Sequence, residues 1–234
     1  MELYKLLTIV IPCKNESKII ETTLNLLNQQ NNIEKVNVIV SDSSTDNTTF
    51  ELESRINDKF NLQIIQGGIP SVARNNGAKR VKTPFILFLD ADIFILDYNL
   101  LTDMVNTMKK QNLHLSTLKI RTTTGEYNYS YKIFDVFQKL IKPFSPFSIG
   151  GFMLFNTKIF TELNGFDESA NVAEDYLLSK KIKPKKFKIA KKQVFTTPRR
   201  FKNKGVLYMV KLMIQSFIHR NNKHFFSNHN TYWK

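Results

Sequence analysis

One short run limits the fold of this chain more than any other. Phe85 to Leu89 is entirely apolar, and Asp90-Ala91-Asp92 follows it at once. Such a run is typical of a strand that is buried on both faces, as in a parallel sheet. A strand of this kind tolerates no charge in its interior, so the two carboxylates must emerge at its carboxyl end. Because open α/β sheets bind ligands at that edge, the run predicts an α/β fold with a ligand site there.

The spacing of Asp90 and Asp92 indicates the chemistry of that ligand. Two carboxylates one residue apart repel each other unless a cation lies between them. A divalent ion that carries a phosphate-bearing ligand removes this repulsion. The alternative is an acidic turn that binds nothing, and the triplet alone leaves both interpretations open.

Strand-like and helix-like segments alternate along the first 95 residues, which predicts a doubly wound, mostly parallel sheet flanked by helices. Apolar runs predict strands at 6–11, 36–40, 62–65, 85–89, 113–122 and 152–155. Apolar residues at helical spacing predict helices at 17–27, 48–60, 72–80, 99–111, 131–141, 158–163, 173–181 and 205–220. Ser17 or Asn15 is expected to cap the first helix, and Ser44 or Thr45 the second.

Positive charge is concentrated at one end of the chain. The net charge is +14, and residues 176–234 contain 16 of the 34 Lys and Arg residues but no Asp or Glu. A solvated basic face is the usual explanation of such a segment. The complete lack of acid over this length favours an anionic surface or ligand instead.

Length and composition predict one globular domain with a full core. The single cysteine, Cys13, cannot form an internal disulfide and suits a reducing compartment. A strand-like run begins soon after Met1, so we expect no signal peptide, and no apolar stretch is long enough to span a membrane. These features predict a cytoplasmic protein, either in solution or peripheral on the cytoplasmic membrane face.

The polar segments that follow the strands contain no Gly-X-Gly-X-X-Gly or Gly-Lys-Ser/Thr motif, so no glycine-rich loop of those types holds phosphates. Six short elements follow one another along the chain: Pro12-X-X-Asn15-Glu16, Asp42 to Thr48, Ala73-Arg74-Asn75-X-Gly77, Asp90-Ala91-Asp92, Gly165-Phe166-Asp167-Glu168 and Glu174-Asp175. In this order they resemble the motifs of family 2 glycosyltransferases with the GT-A fold. The resemblance implies a GT-A, Rossmann-like fold.

The resemblance also implies a nucleotide-diphosphate sugar as donor and a divalent metal, Mn²⁺ or Mg²⁺, that neutralises the leaving diphosphate. It implies that Asp92 ligates the metal directly and that Asp90 contacts the ribose or a metal-bound water. Asp42 would bind the nucleotide base, although Ser41 and Ser43 depart from the family pattern beside it. The other donor-binding positions that the resemblance implies are Pro12, Glu16, Arg74 and Ala91.

Structural roles compete with several of these assignments. Asp46 and Glu16 would also suit the start of a helix, where negative charge is favourable. Arg74 is expected near the start of the helix at 72–80, from where it would reach anionic oxygens of the donor. A surface ion pair is the alternative for Arg74.

Glu174 and Asp175 are the candidate catalytic residues. In inverting sugar transfer one carboxylate takes the proton of the acceptor hydroxyl as its oxygen attacks the anomeric carbon. By resemblance Asp175 is that base and Glu174 orients the acceptor. The alternative is that both are simply good residues for the first turn of a helix.

Residues 196–201 read Thr-Thr-Pro-Arg-Arg-Phe where processive relatives carry Gln-X-X-Arg-Trp. This difference, together with the lack of a spanning segment, argues against a polymerising synthase. Arg199 and Arg200 would bind the donor diphosphate or a phosphate on the acceptor, or would form a cationic surface turn.

We expect a GT-A domain at 1–200, with a nucleotide-sugar half at 1–95 and an acceptor half at 96–200, followed by a basic amphipathic appendage at 201–234. The helix at 205–220 has a broad apolar face next to polybasic flanks, which suits an anionic membrane surface. Packing on the core is the alternative. A lipid-linked or membrane-proximal glycan is the expected acceptor, and no nucleic-acid partner is expected.

Two other classes of protein fit the sequence less well. A sugar-phosphate nucleotidyltransferase would need a glycine-rich, Arg-containing loop after the first strand, where this chain has Pro12-Cys13-Lys14-Asn15. A non-enzymatic basic protein that binds membranes or nucleic acid would leave the acidic motifs unexplained.

Overall fold

The computed structural model describes residues 1–55 and 58–228. Over these residues the strands form a single eight-stranded sheet. The strands are β1 (Leu7–Cys13), β2 (Asn37–Asp42), β3 (Asn61–Gln66), β4 (Phe85–Leu89), β5 (Ile93–Phe94), β6 (Leu115–Thr122), β7 (Phe152–Asn156) and β8 (Phe187–Thr196). The helices are α1 (Ile20–Asn28), α2 (Thr48–Glu53), α3 (Pro70–Ala78), α4 (Leu100–Lys110), α5 (Asn128–Ile141), α6 (Thr157–Glu162), α7 (Glu174–Ser179), α8 (Arg199–Lys204), α9 (Val206–Ile218) and α10 (Lys223–Ser227).

The sheet consists of a parallel half and a mixed half. Its strand order is β3-β2-β1-β4-β7-β6-β8-β5. The first four strands in this order pair in parallel, as the alternation of strands and helices predicted. In the second half β6 and β8 are parallel, whereas β7 runs antiparallel to both of its neighbours, β4 and β6. The prediction of a mostly parallel sheet is confirmed.

Strand β4 has the bounds and the burial that its sequence predicted. All five of its residues are buried, and the side chains alternate between two apolar layers. Phe85, Leu87 and Leu89 belong to the layer that also contains residues of α1 and α4. Ile86 and Phe88 belong to the opposite layer, with residues of α6 and α7. A strand buried on both faces can carry polar groups only beyond its end, which places Asp90 at the edge of the sheet.

Strand β8 was not predicted, because three of its first six residues are lysines, which masked the apolar pattern. In the structure Phe187, Ala190 and Val194 are buried, while lysines between them reach solvent along their aliphatic stems. Lys192 forms ion pairs with Asp97 and Asp103. Much of the polybasic stretch therefore belongs to the sheet.

Helices α1 and α2 depart from their predictions in different ways. Helix α1 begins at Ile20 and has no side-chain cap, so the expected caps were wrong. Helix α2 begins at Thr48, as predicted, but ends at Glu53, and residues 56–57 of the predicted helix lie outside the described residues.

The segment after residue 200 packs against the acceptor half. Phe201 is buried and stacks on Tyr127, with centroids 5.5 Å apart. Met213 of α9 and Phe226 of α10 are buried as well, and residues 229–234 of the expected appendage lie outside the described residues. In the part of the chain that the structure describes, no helix is both long and apolar enough to cross a membrane.

Candidate active site

The predicted acidic segments of the first half meet at one edge of the sheet. Cys13 at the end of β1 is paired with Asp42 at the end of β2, and Asp90 follows β4, the other neighbour of β1. The parallel arrangement brings these ends together, as expected for ligand sites of open α/β sheets.

Arg74 connects this edge to the acceptor half. Its side chain is only 2% exposed. Its two terminal nitrogens donate hydrogen bonds to Asp90 Oδ1 and to Glu174 Oε1, and each donor–acceptor distance is 2.6 Å. The guanidinium carbon lies 5.4 Å from the centroid of the Phe166 ring. Burial disfavours the charged form, but Asp90 and Glu174 outweigh this cost and raise the pKa of Arg74. The guanidinium thus bridges one carboxylate from each half of the site and shares its single positive charge between them.

The predicted place of Arg74 near the start of its helix was wrong. Helix α3 begins at Pro70, because the fixed φ of proline suits the first helical position, so Arg74 is its fifth residue. A surface ion pair was the alternative expectation, and the observed pairs are buried instead. Donor contact by Arg74 stays a prediction.

Asp175 lies in the first turn of α7, directly after Ala173 and Glu174. Its Oδ2 accepts the backbone N–H of Gly150 at 2.6 Å, and its Oδ1 accepts the N–H of Tyr176 at 2.7 Å. Burial and the adjacent Glu174 carboxylate raise the pKa of Asp175 to about 7, although Arg74 acts in the opposite direction. A carboxylate with such a pKa is suited to accept a proton near neutral pH.

Gly150 was missed by sequence reasoning. A Cβ at this position would lie 3.1 Å from Asp175 Oδ2 and 3.3 Å from Arg74 Nη2, so a side chain would crowd both groups. Adjacent glycines before the apolar run of β7 were the available signal, because they often mark a close approach of the backbone.

Asp92 lies in the same cleft as Asp175. Burial and the nearby Asp90 raise the pKa of its carboxyl group, and Arg200 and Arg199 act in the opposite direction. Arg199 Nη2 is 3.8 Å from Asp92 Oδ2, beyond direct hydrogen-bond distance. Burial and the neighbouring carboxylate both disfavour the charged form of Asp92, and a bound divalent ion would stabilise that form.

The donor set for a metal is small. Within 1–55 and 58–228, no group of three or more His, Cys, Asp and Glu side chains is placed to hold a metal ion. Of the two predicted ligands, Asp90 is hydrogen-bonded to Arg74, so Asp92 is the better placed. The residues present therefore fit a metal that takes only part of its oxygen ligands from protein.

Glu16 and Arg199 form an ion pair between distant parts of the sequence. Arg199 donates hydrogen bonds to both carboxylate oxygens of Glu16, with donor–acceptor distances of 2.9 Å and 2.5 Å. This hydrogen bonding raises the pKa of Arg199, and the pair fixes the start of α8 against the loop that follows β1. Binding of a phosphate by Arg199 stays a prediction.

Asp42 and Asp46 are bonded to their own loop. Asp42 Oδ1 accepts the N–H of Ser44 at 3.0 Å, and its Oδ2 accepts the hydroxyl of Thr49 at 2.7 Å. Asp46 Oδ1 accepts the N–H of Thr48 at 3.0 Å, at the start of α2. Asp46 therefore bonds the first N–H of α2 from the residue before the N-cap position, Asn47, which is close to the structural role that was one of its two expectations.

The remaining residues that were predicted to bind the sugar donor belong to the chain segments around the site. Pro12 is half-buried in β1. Ala91 is buried, and its carbonyl accepts the hydroxyl of Thr23 at 2.6 Å. Asn15 has a left-handed φ of 56°, and its side chain accepts the N–H of Thr45 at 2.9 Å, which joins the loops after β1 and β2.

An open cleft runs from the carboxylates into the acceptor half. One end is acidic and holds Asp90, Asp92, Glu174 and Asp175. The other walls are mostly apolar and come from the sheet, from α5 and from α9: Ile93, Ile120, Ile149, Tyr131, Phe134, Met209, Leu212 and Met213. Sequence reasoning did not place the side chains of α5 and α9 here, because helical periodicity reveals a buried face but not what covers it.

A family model described as "Glycosyl transferase family 2" matches residues 8–163, which is more than half of the chain. The chain belongs to glycosyl transferase family 2. The family 2 match extends from β1 to the end of α6 and includes Asp90 and Asp92, whereas Glu174 and Asp175 lie beyond it. The resemblance inferred from the sequence is confirmed.

Two curated relatives match stretches of nearly equal length in this family 2 chain. It is 33% identical over 93 residues to validoxylamine A glucosyltransferase from Streptomyces hygroscopicus subsp. jinggangensis. The matched stretch covers 38% of this chain and 22% of that relative. It is 33% identical over 94 residues to poly(ribitol-phosphate) β-N-acetylglucosaminyltransferase TarS from Staphylococcus aureus, 38% of this chain and 16% of the relative. The chain thus matches about a fifth of the length of these relatives.

Solved structures share the fold over nearly the whole chain. The crystal structure of S. aureus TarS has a TM-score of 0.64 at 21% identity and covers 96% of this chain and 44% of that one. The mannosyltransferase PcManGT from Pyrobaculum calidifontis, in complex with GDP-Man and Mn²⁺, has a TM-score of 0.68 at 15% identity. That match covers 94% of this chain and 68% of the other. The predicted GT-A fold is confirmed.

Proposed function

We propose that this chain transfers a sugar from a nucleotide-diphosphate sugar to an acceptor hydroxyl, with inversion at the anomeric carbon. The observation that carries the proposal is the position of Asp175, with a raised pKa, in one cleft with Asp92. Family membership supports sugar transfer, and TarS with UDP-GlcNAc and PcManGT with GDP-Man and Mn²⁺ are proteins of the same fold.

Asp175 is the proposed general base. One of its oxygens accepts the proton of the acceptor hydroxyl while the bond from that hydroxyl oxygen to the anomeric carbon forms and the bond to the nucleotide diphosphate breaks. The N–H groups of Gly150 and Tyr176 fix the direction of the carboxylate. Arg74 neutralises Glu174 and so reduces its repulsion of the ionised base. Glu174, held in this way, borders the acceptor side.

Asp92 is the proposed protein ligand of a divalent metal, with Asp90 held beside it by Arg74. When bound, Mn²⁺ or Mg²⁺ would supply positive charge to the departing diphosphate. The donor itself would complete the ligand set, because the described residues offer too few carboxylates.

The apolar walls of the cleft support an acceptor with an apolar part. A lipid-linked or membrane-proximal glycan would pack its apolar part against the partly exposed rings of Tyr131 and Phe134, whereas a bare glycan would present mainly polar hydroxyls to them. We place the reaction in the cytoplasm or on its membrane face, since Cys13 is a free, buried thiol.

A thermal-shift panel of nucleoside diphosphates and nucleotide sugars, each with and without Mn²⁺, tests the donor part. We expect one nucleotide class to raise the unfolding temperature only when Mn²⁺ is present, because a ligand that binds the native state stabilises it. Asp92→Asn should abolish the metal-dependent part of the shift, and Asp103→Asn, an exposed carboxylate outside the site, should leave it unchanged. No shift with any nucleotide would contradict the proposal.

A further inference from the structure

Helix α5 carries an apolar stripe on the side that faces solvent. The stripe is formed by residues at helical spacing, all of them exposed: Tyr129, Ile133, Val136 and Leu140, followed by Phe144 just after the helix. Leu140 and Phe144 are 68% and 85% exposed. The opposite side of the same helix already supplies Phe134 and Ile141 to the interior, so burial within this chain does not explain the outer stripe.

Helix α9 has the same two-sided character. Leu207, Ile214 and Ile218 recur along its exposed side, and Leu207 is 86% exposed. Its inner side supplies Met209, Leu212 and Met213 to the cleft and the core. Docking on a surface and packing on the core are therefore not alternatives for this helix, because it carries a separate set of apolar residues for each.

The two outer stripes belong to one surface. Phe137 of α5 and Phe217 of α9 meet edge to face, with centroids 5.9 Å apart, so the helices lie side by side. Each helix turns its buried side to the same cluster, which contains Ile141, Tyr176 and Met213. Phe137 and Phe217 are both half-buried, between the buried and the exposed side of their helices, so the helices touch along their flanks and the two stripes adjoin at this contact.

This surface, the α5–α9 face, is also basic. Lys132 and Lys139 of α5 and Lys211 of α9 are exposed beside the stripes. The only acidic residue within either helix is Asp135, which is buried and bonded to Arg121. Two helices with outward apolar stripes, flanking lysines and no exposed carboxylate of their own complement an anionic lipid bilayer, in which apolar groups enter the acyl boundary and lysines meet the headgroups.

We infer that the α5–α9 face docks on the surface of an anionic bilayer. The inference does not depend on the transfer reaction, since it rests on the outer sides of two helices. It has one consequence for the proposed function: the inner sides of the same helices line the cleft, so docking would bring the cleft next to the lipid.

Flotation of the purified chain with vesicles tests the inference. Vesicles of phosphatidylcholine with phosphatidylglycerol are compared with vesicles of phosphatidylcholine alone, at low and high salt. We expect binding to the anionic vesicles at low salt, with about a fivefold loss of the partition coefficient for each lysine replaced among Lys132→Gln, Lys139→Gln and Lys211→Gln. The double variant Leu140→Glu/Ile214→Glu should lose at least about tenfold, since two apolar groups leave the acyl boundary.

Phe50→Glu is the matched control. Phe50 is 72% exposed on α2, in the nucleotide half, and its replacement should leave vesicle binding unchanged. Thermal unfolding and the nucleotide-induced shift, measured on every variant, separate loss of docking from loss of the fold or of donor binding. The inference is overturned if the wild type ignores anionic vesicles at low salt, or if Phe50→Glu loses as much binding as the double variant. It is also overturned if Leu140→Glu/Ile214→Glu only converts a dimer to a monomer and leaves vesicle binding intact.

Discussion

The two halves of the site position their carboxylates by different means. In the nucleotide half Asp90 and Asp92 follow a fully buried strand, and the regularity of a parallel sheet sets their place. In the acceptor half Glu174 and Asp175 follow no strand and begin a short helix behind Ala173, which has a left-handed φ of 53°. Contacts with Arg74 and Gly150 hold them there. Strand ends can be recognised locally, whereas the acceptor carboxylates depend on partners distant in the sequence.

The largest effect is expected at the acceptor carboxylates. Asp175→Asn should reduce sugar transfer by about 10²–10⁴-fold, because general-base catalysis contributes on that scale, and should leave the metal-dependent nucleotide shift intact. The measurement is incorporation of labelled sugar from the stabilising nucleotide sugar into a membrane lipid extract. Transfer by Asp175→Asn at the wild-type rate would mean that the acceptor half does not hold the base.

The bridge between the halves should matter most for stability. Arg74→Met leaves Asp90 and Glu174 without their shared cation, and we expect a loss of about 3–5 kcal/mol in the free energy of unfolding, measured by urea denaturation. Arg121→Met removes one partner of a single, more exposed pair with Asp135 and serves as the control with a smaller loss. Equal losses in the two variants would show that the bridge has no special role.

The dependence of activity and stability on pH should distinguish the acceptor half from the nucleotide half. Since burial and Glu174 raise the pKa of Asp175 to about 7, kcat/KM should fall about tenfold per pH unit below that value as the base becomes protonated. The same shift affects stability with a definite sign. A carboxyl group whose folded pKa lies above its unfolded value of about 4 contributes stability at low pH, and this contribution is lost as the pH rises toward and through 7.

Urea unfolding of the wild type and of Asp175→Asn at several pH values measures that contribution. The difference between the two proteins should change with pH mainly between about 4 and 7. A difference that is flat over this range would contradict the raised pKa.

The smallest effect is expected at the pair that joins the nucleotide loop to α8. Arg199 is 45% exposed, so Arg199→Ala should change the free energy of unfolding by at most about 1 kcal/mol. Lys202→Ala, which removes an exposed pair with Glu126, is the control. A large loss of the nucleotide-induced shift in Arg199→Ala alone would assign this residue to donor binding.

Much of the nucleotide half was predictable because its signals are local. The bounds of β4 were predicted to the residue, and the order of six short motifs was enough to identify the family. The errors there concern the first residues of helices. Helix α1 begins later than its expected caps implied. Helix α3 begins earlier than predicted, so Arg74 lies in its middle and faces carboxylates.

The acceptor half was less predictable because its signals are long-range. The antiparallel course of β7 is set by its two neighbours, and the lysines of β8 hide a strand whose buried residues are spaced irregularly around a bulge. The apolar spacing of α5 and α9 revealed a buried face on each helix, but not that these faces line the cleft.

The residues alone specify the parallel strands, the carboxylates at their ends and the family, because alternation, buried runs and short motifs are written in consecutive positions. Tertiary structure alone reveals that Arg74 bridges two carboxylates 16 and 100 residues away along the chain. It also reveals the environment that raises the pKa of Asp175 and the side-by-side placement of α5 and α9. These properties depend on burial and on distances between remote residues, and neither quantity exists until the chain has folded.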